Sequence, residues 1–290
     1  MISFGRILFP VDLSKQGQEA APFVAAMAKR FQSEVTMLHV VEVPCPWYES
    51  PEAMTLQSTA NLQTVISESK DRLDRYLTDE LAGVRVCRII AQGEPARAIT
   101  DVASRQRAGL IMMPTHGYGP FRGMLIGSVT AKVLHDAECP VWTGVHTDQI
   151  WSHHGAGWQR FLCAVDTEAP DRKLLQWAAQ FAQEQGAELQ VVHAVHEAAP
   201  IPSGQESETL QDFLLGVARE RLDKMQSELG THFDIWMRFG KVGPVVHQAA
   251  LDHRADLILI GRGMIRKAFG RLRSQAYSVI REAPCPVISV

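Results

Sequence analysis

The second half of this chain repeats the first half, and this duplication limits the possible folds more than any other feature. FLCAVDTEAP in the second half matches ILFPVDLSKQ in the first, and CPVISV matches CPVWTG. The matched pairs keep a nearly constant spacing: Asp12 with Asp166, His39 with His193, Gly93 with Gly240 and Cys139 with Cys285. A repeat this long indicates two copies of one domain rather than a stack of short repeats. We expect a first domain at 1–147, a linker at 148–158 and a second domain at 159–290.

Each copy alternates short apolar runs, typical of buried strands, with longer stretches of helical periodicity. In the first copy the predicted strands are 6–12, 34–43, 84–93, 109–114 and 139–145, and the predicted helices are 16–30, 59–81, 94–107 and 128–137. Strands that alternate with helices favour a mostly parallel sheet with helices on both faces. In such sheets a ligand binds at the carboxyl ends of the strands, where the winding direction changes.

A glycine-rich stretch, PTHGYGPFRGMLIGSVT at residues 114–130, joins the fourth predicted strand to the helix that follows it. Glycine lets the backbone come close to a ligand. The unpaired N–H groups and the dipole at the start of a helix favour an anion. This strand, loop and helix therefore form a candidate phosphate site.

The charge and cysteine content exclude several classes of protein. A formal net charge of −3 gives no electrostatic footprint for nucleic acid. No apolar run is long enough to predict a membrane span, and the first residues lack the pattern of a signal peptide. The five cysteines are scattered and form no CxxC pair, which favours a reducing cytoplasm with the cysteines as small core residues.

These features together resemble the universal stress protein (UspA-like) family. The matching text is PVD after the first strand, LHV in the second, MPTHG after the fourth, GSVTAKVLHDAECPVW at the end of the first copy, and the repetition of most of it. The resemblance implies two tandem α/β domains, each an open five-stranded parallel sheet of Rossmann-like, adenine nucleotide alpha hydrolase-like type, related by a pseudo-twofold axis. Many members of that family bind ATP.

The family signature is glycine, two residues, glycine, nine residues, and then Gly-Ser or Gly-Thr. The first domain has Gly117, nine residues and Gly127-Ser128, but Pro114 stands where the first glycine is expected. The resemblance implies that ATP, with Mg²⁺ as an optional companion, binds these residues: Pro10, Val11, Asp12, Val40, Met113, Pro114, His116, Gly117, Gly127, Ser128, Val129 and Thr130. Structural alternatives remain: Asp12 as a helix N-cap or turn residue, Ser128 as an N-cap, and His39 as a core histidine with a satisfied ring.

The second domain departs further from the signature. Its candidate residues are Asp166, Gly261, Gly263 and Ser274, but Arg273 replaces the glycine before the serine. The basic run between them could attract phosphate by charge, or be a solvated loop. Alternatively Arg273 fills the phosphate site, and we favour this degenerate site because a bulky residue replaces the close-approach glycine.

No P-loop, HExxH or GxSxG motif is present, so we assign no catalytic residue and no metal ligand. We interpret the chain as a cytoplasmic stress-response protein that binds ATP or a related adenine nucleotide in its first domain. The alternatives are a scaffold that acts through protein contacts with an unidentified partner and, third, a weak ATP hydrolase. The family resemblance further implies pairing of the fifth strands, either within the chain as a pseudo-dimer or between chains as a homodimer.

Overall fold

The computed structural model describes residues 2–42, 56–115, 126–144, 158–167, 171–195, 205–261 and 273–290. The chain divides into two compact units, one of Ser3–Trp142 and the other mainly of Thr143–Val290. Each unit is an α/β domain built on a parallel sheet, as the alternating pattern predicted. In the described part of the chain, no helix is both long and apolar enough to cross a membrane.

In the described part of the first domain, five strands lie in the order β3-β2-β1-β4-β5. Its elements are β1 (Arg6–Pro10), α1 (Lys15–Phe31), β2 (Glu34–Val41), α2 (Leu56–Arg75), β3 (Arg85–Gln92), α3 (Pro95–Arg105), β4 (Leu110–Pro114), α4 (Ser128–Asp136) and β5 (Val141–Gly144). Strand β1 pairs in parallel with β2 on one side and with β4 on the other. The winding direction therefore changes between β1 and β4, and a ligand crevice is expected at their carboxyl ends.

The second domain repeats this order as β8-β7-β6-β9-β10. Its elements are β6 (Arg160–Ala164), α5 (Asp171–Gln185), β7 (Glu188–Val195), α6 (Gln205–Leu229), β8 (Ile235–Phe239), α7 (Val242–His253), β9 (Leu257–Ile260), α8 (Arg273–Glu282) and β10 (Val287–Ser289). Strand β6 pairs in parallel with β7 and β9, as β1 does with β2 and β4.

The central strands are apolar along their length because both faces of each sheet are covered. In β1, Ile7, Leu8 and Phe9 are at most 1% exposed, and all four residues of β9 are buried. Helix α1 turns a face of small and aliphatic residues to the core, including Ala21 and Val24. Burial of such side chains contributes roughly 25 cal/mol per Å² of apolar surface, which makes these strands the stable centre of each domain.

Two sequence predictions differ from the structure in this part of the chain. Helix α2 begins at Leu56 and ends at Arg75, whereas the periodicity predicted a helix over 59–81. Leu77 adopts a left-handed conformation with φ of 57°, so the apolar spacing continues through turns after the helix has ended. Cys163 and Cys285 are buried as expected, but Cys87 is exposed because it lies on β3, at the edge of the sheet order. Cys45 and the predicted loop at 44–54 lie outside the described residues.

Candidate functional site

The ends of β1 and β2 are joined by two hydrogen bonds in the first domain. The N–H of Val11 donates to the carbonyl of Leu38 at 2.8 Å. The Nδ1 atom of His39 lies 2.8 Å from the carbonyl oxygen of Val11. Because a carbonyl oxygen only accepts, Nδ1 of His39 carries a proton, and this hydrogen bond gives the half-buried ring the structural role that the core-histidine alternative proposed.

Asp12 follows directly after this junction, with an exposed side chain. Its Oδ1 atom accepts the N–H of Ser14 at 3.1 Å, which is a turn of the kind that aspartate favours. The N-cap of α1 is Ser14, so the N-cap alternative for Asp12 is wrong and the turn alternative is right. The hydrogen bond from Ser14 uses one of the two carboxylate oxygens of this exposed side chain.

The start of α4 is attached to the end of β4. Gly127 donates its N–H to the carbonyl of Thr115 at 2.9 Å, and the Thr130 hydroxyl donates to the carbonyl of Pro114 at 3.2 Å. Gly127 is the N-cap of this helix, which corrects the alternative that Ser128 caps it. Its φ of −55° and ψ of 144° are open to any residue, so backbone conformation does not require glycine there.

The first turn of α4 presents backbone N–H groups to the same edge of the sheet. The first bond that closes this helix runs from the N–H of Ala131 to the carbonyl of Gly127, at 2.8 Å. The N–H groups of Ser128, Val129 and Thr130 precede it and have no acceptor within the helix. Together with the helix dipole, such groups favour an anion.

An ion pair between Glu94 and Lys132 connects α3 to α4. Glu94 is the N-cap of α3 and accepts the N–H of Arg97 at 2.9 Å, while Lys132 of α4 lies 3.1 Å from its other oxygen. The hydrogen bond from the Arg97 N–H, followed by the contact with Lys132, lowers the pKa of Glu94. Both side chains are substantially exposed, so this ion pair contributes little to the stability of the fold.

The described candidates of the first domain therefore lie at the carboxyl ends of three adjacent strands and at the start of one helix. Pro10 ends β1 and is followed by Val11 and Asp12, Val40 lies near the end of β2, and Met113 and Pro114 end β4. Gly127 caps α4, and Ser128, Val129 and Thr130 are its first three residues. Met113 and Thr130 are buried, and Ser128 is exposed. His116 and Gly117 lie outside the described residues. Within the described ranges, no cluster of three or more His, Cys, Asp or Glu side chains could hold a metal ion.

The second domain forms the same junction at the ends of β6 and β7. The Nδ1 atom of His193 lies 2.9 Å from the carbonyl oxygen of Val165, and Asp166 accepts the N–H of Thr167 at 2.7 Å. His193 is only 7% exposed. Because a carbonyl oxygen only accepts, Nδ1 of His193 carries a proton and donates it to Val165.

A cavity of about 360 Å³ opens beside this second junction. Its walls come from the ends of β6 and β7, from one face of α6, and from α7 and α8, and include Asp166, His193, Leu214, Val217, Arg221, Val246 and Gln275. The size lies at the lower end of the range of roughly 300–1,000 Å³ for small-molecule sites. Sequence reasoning missed the α6 residues, although the text RLD occurs at 72–74 and again at 221–223.

The structure describes Gly261 and Ser274, but not Gly263, among the remaining candidate residues of the second domain. Gly261 is buried and follows β9 directly, and Ser274 is the second residue of α8. Arg273 is the first residue of α8. In the first domain, Gly127 and Ser128 stand at the start of the corresponding helix, α4. Gly263 and the basic run after it lie outside the described residues.

Comparison with known proteins gives a consistent result for both halves. A sequence model of the universal stress protein family matches residues 3–143 and again residues 157–290. A universal stress protein of Methanocaldococcus jannaschii is 30% identical over 138 residues, which cover 48% of this chain and 80% of that protein. One from Mycolicibacterium smegmatis is 25% identical over 295 residues, covering 98% of this chain and 96% of its own. The crystal structure of a universal stress protein from Archaeoglobus fulgidus has the same fold, with a TM-score of 0.62, 20% identity and coverage of 99% and 96% of the two chains.

Proposed function

Because this chain belongs to the universal stress protein family, we propose that its first domain binds ATP or a related adenine nucleotide. The observation that carries the proposal is the attachment of the start of α4 to the end of β4. Hydrogen bonds from Gly127 and Thr130 hold that helix terminus against the end of β4, and its N–H groups lie at the edge where the strands of a parallel sheet receive ligands.

In this proposal each part of the site has one role. The phosphates lie against the backbone of Gly127, Ser128 and Val129, and Gly127 leaves room for a close approach. Asp12 accepts hydrogen bonds from the ribose hydroxyls through the carboxylate oxygen that Ser14 does not use. The backbone of Val40 contacts the adenine ring. His116 and Gly117 belong to the proposed site as family-based predictions.

Pro114 removes one backbone N–H from the family pattern, but its carbonyl is already engaged by the Thr130 hydroxyl. The departure therefore removes a donor without altering how the helix is attached. Mg²⁺ would accompany ATP as its counterion, and no side chain is assigned to it.

A second candidate is a ligand site in the second domain, which the cavity beside His193 favours. Its walls are mainly aliphatic, with Asp166, Thr167, His193, Arg221 and Gln275 as polar groups, which suits a small ligand with an apolar body. Arg273 stands where the family signature has the glycine before the serine, and this bulky residue argues against a phosphate in the second domain. The scaffold that acts through protein contacts without a ligand, which is the first alternative from the sequence, relies on the fold alone.

Calorimetric titration of the purified chain with ATP and Mg²⁺ tests these candidates, with Asp12→Ala and Asp166→Ala as a matched pair. We expect one nucleotide per chain and an affinity about tenfold weaker in Asp12→Ala, because hydrogen bonds to a charged group are lost. Asp166→Ala is expected to bind like the wild type. Loss of binding only in Asp166→Ala would move the site to the second domain, and no heat and no rise in melting temperature at millimolar ATP would favour the scaffold.

The same variants separate binding from hydrolysis. We expect no phosphate release above the buffer rate, because no described side chain is placed as a base toward an attacking water. Phosphate release by the wild type that disappears in Asp12→Ala would instead establish the weak hydrolase.

A further inference from the structure

Tyr76 reaches from the turn after α2 into the first turn of α1. Its hydroxyl donates a hydrogen bond to the backbone carbonyl of Ser14. The backbone N–H of Gln18 donates to the same phenol oxygen. Ser14 is the N-cap of α1 and Gln18 is the fourth residue of that helix, so the phenol bridges the two backbone groups that close a first helical turn.

Other helices of the chain close this turn directly. The N-cap carbonyl accepts the N–H four residues later at 2.9 Å in α3, 2.8 Å in α4 and 3.1 Å in α7. Those bonds run from Ala98 to Glu94, from Ala131 to Gly127 and from Val245 to Lys241. The bridge through a side chain is therefore a particular property of α1 among these helices.

Gly17 makes the space that the phenol occupies. A Cβ atom at this position would lie 2.3 Å from the hydroxyl oxygen of Tyr76 and 3.3 Å from its Cζ atom. The first distance is far inside van der Waals contact and the second is a tight contact. A side chain at position 17 therefore excludes the hydroxyl, whereas the ring itself need move by only a few tenths of an ångström.

The residues just before α1, Leu13 and Ser14, have an energetically unfavourable arrangement. Leu13 has a φ of 59°, which is unfavourable for a side chain with a Cβ. The Ser14 side chain is 3% exposed, and its Oγ atom has no hydrogen-bond partner among the described residues. Backbone strain and an unsatisfied hydroxyl persist only where neighbouring contacts enforce them, and they concentrate at functional sites.

The bridge lies close to Asp12. Burial raises the pKa of Tyr76, and the negative charges of Asp12 and Glu80 raise it further, while the hydrogen bond from the Gln18 N–H lowers it. The phenol therefore stays protonated at neutral pH, and its O–H remains the donor to Ser14.

The second domain does not carry these residues. The text RLDRY at 72–76 matches RLDKM at 221–225, which puts Met225 at the position of Tyr76. The match of Asp12 with Asp166 puts Asp171 at the position of Gly17. A methionine cannot donate a hydrogen bond, so the bridge is specific to the first domain.

We propose that Tyr76 is a positioning residue for the nucleotide site of the first domain. Its phenol holds the first turn of α1 so that the strained Asp12–Ser14 segment keeps the Asp12 carboxylate facing the ligand. The inference rests on the proposed function for its effect on affinity, but the bridge itself is independent of any ligand.

Tyr76→Phe removes only the hydroxyl oxygen and tests the bridge. We expect faster hydrogen exchange at the backbone N–H groups of residues 13–18 without ligand, and ATP affinity about tenfold weaker, the loss that corresponds to one net hydrogen bond. Affinity is measured well below the melting temperature, where the folded fraction is complete and a merely destabilising change leaves it unaltered.

Gly17→Ala provides a second way to displace the phenol. We expect the single variant to weaken ATP binding as Tyr76→Phe does. In the Tyr76→Phe background the added methyl group meets the ring at a tolerable distance, so Gly17→Ala is expected to cost little more. Such non-additivity is the signature of a shared contact, whereas two independent effects would add.

Met225→Leu is the matched control, and we expect it to leave both the exchange of residues 13–18 and the ATP affinity unchanged. Unchanged exchange in Tyr76→Phe would overturn the bridge, and faster exchange with wild-type affinity would overturn the positioning role. If the wild type binds no ATP, the proposed function fails, and the positioning role fails with it. In that case the hydrogen-exchange data test only whether the Tyr76 hydroxyl holds the first turn of α1.

Discussion

At Gly127 a role in the proposed nucleotide site can be tested separately from a role in folding. Its φ of −55° and ψ of 144° are accessible to every residue type, and its N–H bond to Thr115 involves only the backbone. We therefore expect Gly127→Arg, which copies Arg273 of the second domain, to fold normally but to lose nucleotide binding at least about tenfold, because its side chain occupies the proposed phosphate position. Circular dichroism, thermal melting and ATP titration measure the two properties separately.

Gly127→Ala is the control for this substitution, since a methyl group adds little bulk and no charge. We expect it to bind ATP more tightly than Gly127→Arg does. Wild-type affinity in Gly127→Arg would contradict the assignment of the phosphates to the start of α4. Loss of the folded circular dichroism signal would instead contradict the argument from backbone conformation.

At the scale of elements, Glu94 at the start of α3 forms an ion pair with Lys132 of α4. Glu94 has a lowered pKa in the folded protein, so it contributes stability that is present above its ordinary pKa of 4.5 and is lost as the pH falls through the folded value. We expect Glu94→Gln to melt slightly below the wild type at neutral pH, by less than about 1 kcal/mol for a mostly exposed group. Melting curves between pH 3 and pH 7 measure this difference, which should shrink below pH 4.5.

Lys132→Gln separates the two contacts of Glu94, because it removes the ion pair and keeps the hydrogen bond to the Arg97 N–H. That bond is the largest cause of the lowered pKa, so Lys132→Gln is expected to lose less stability at neutral pH than Glu94→Gln does. A pH-independent difference between Glu94→Gln and the wild type would show that the charge of Glu94 is not involved.

At the scale of the whole molecule, the last residues of the chain complete the second sheet. Strand β10 pairs in parallel with β9, and Val287, Ile288 and Ser289 are 0% exposed. We expect removal of Pro286 to Val290 to expose apolar residues of β9 and to cause aggregation or a lower melting temperature. Light scattering and thermal melting of the truncated chain check this.

Removal of Val290 alone is the control, because this residue lies beyond the strand and is only partly buried. We expect that variant to keep most of its stability, with the loss of one backbone hydrogen bond to Ile260. A chain without Pro286 to Val290 that keeps its melting temperature and its hydrodynamic radius would show that β10 is dispensable.

The amino-acid sequence by itself determined the duplication, the α/β class and the strand ends at which we propose the ligand site. These properties depend on local periodicity: buried strands are short and apolar, and helices show their 3.6-residue repeat. The N–H donors at the start of α4 were also predictable from the local sequence, because a Gly-Ser pair after a strand marks the start of a helix.

Only the tertiary structure decided which distant side chains meet. Apolar spacing continued past Arg75, but the helix ended there because Leu77 adopts a left-handed conformation. The same turn brings Tyr76 to Ser14, a contact between residues far apart in the chain that no local pattern encodes. The cavity beside His193 likewise depends on which face of α6 covers the strand ends. Local periodicity selects the elements, whereas side-chain contacts follow from packing the elements together in three dimensions.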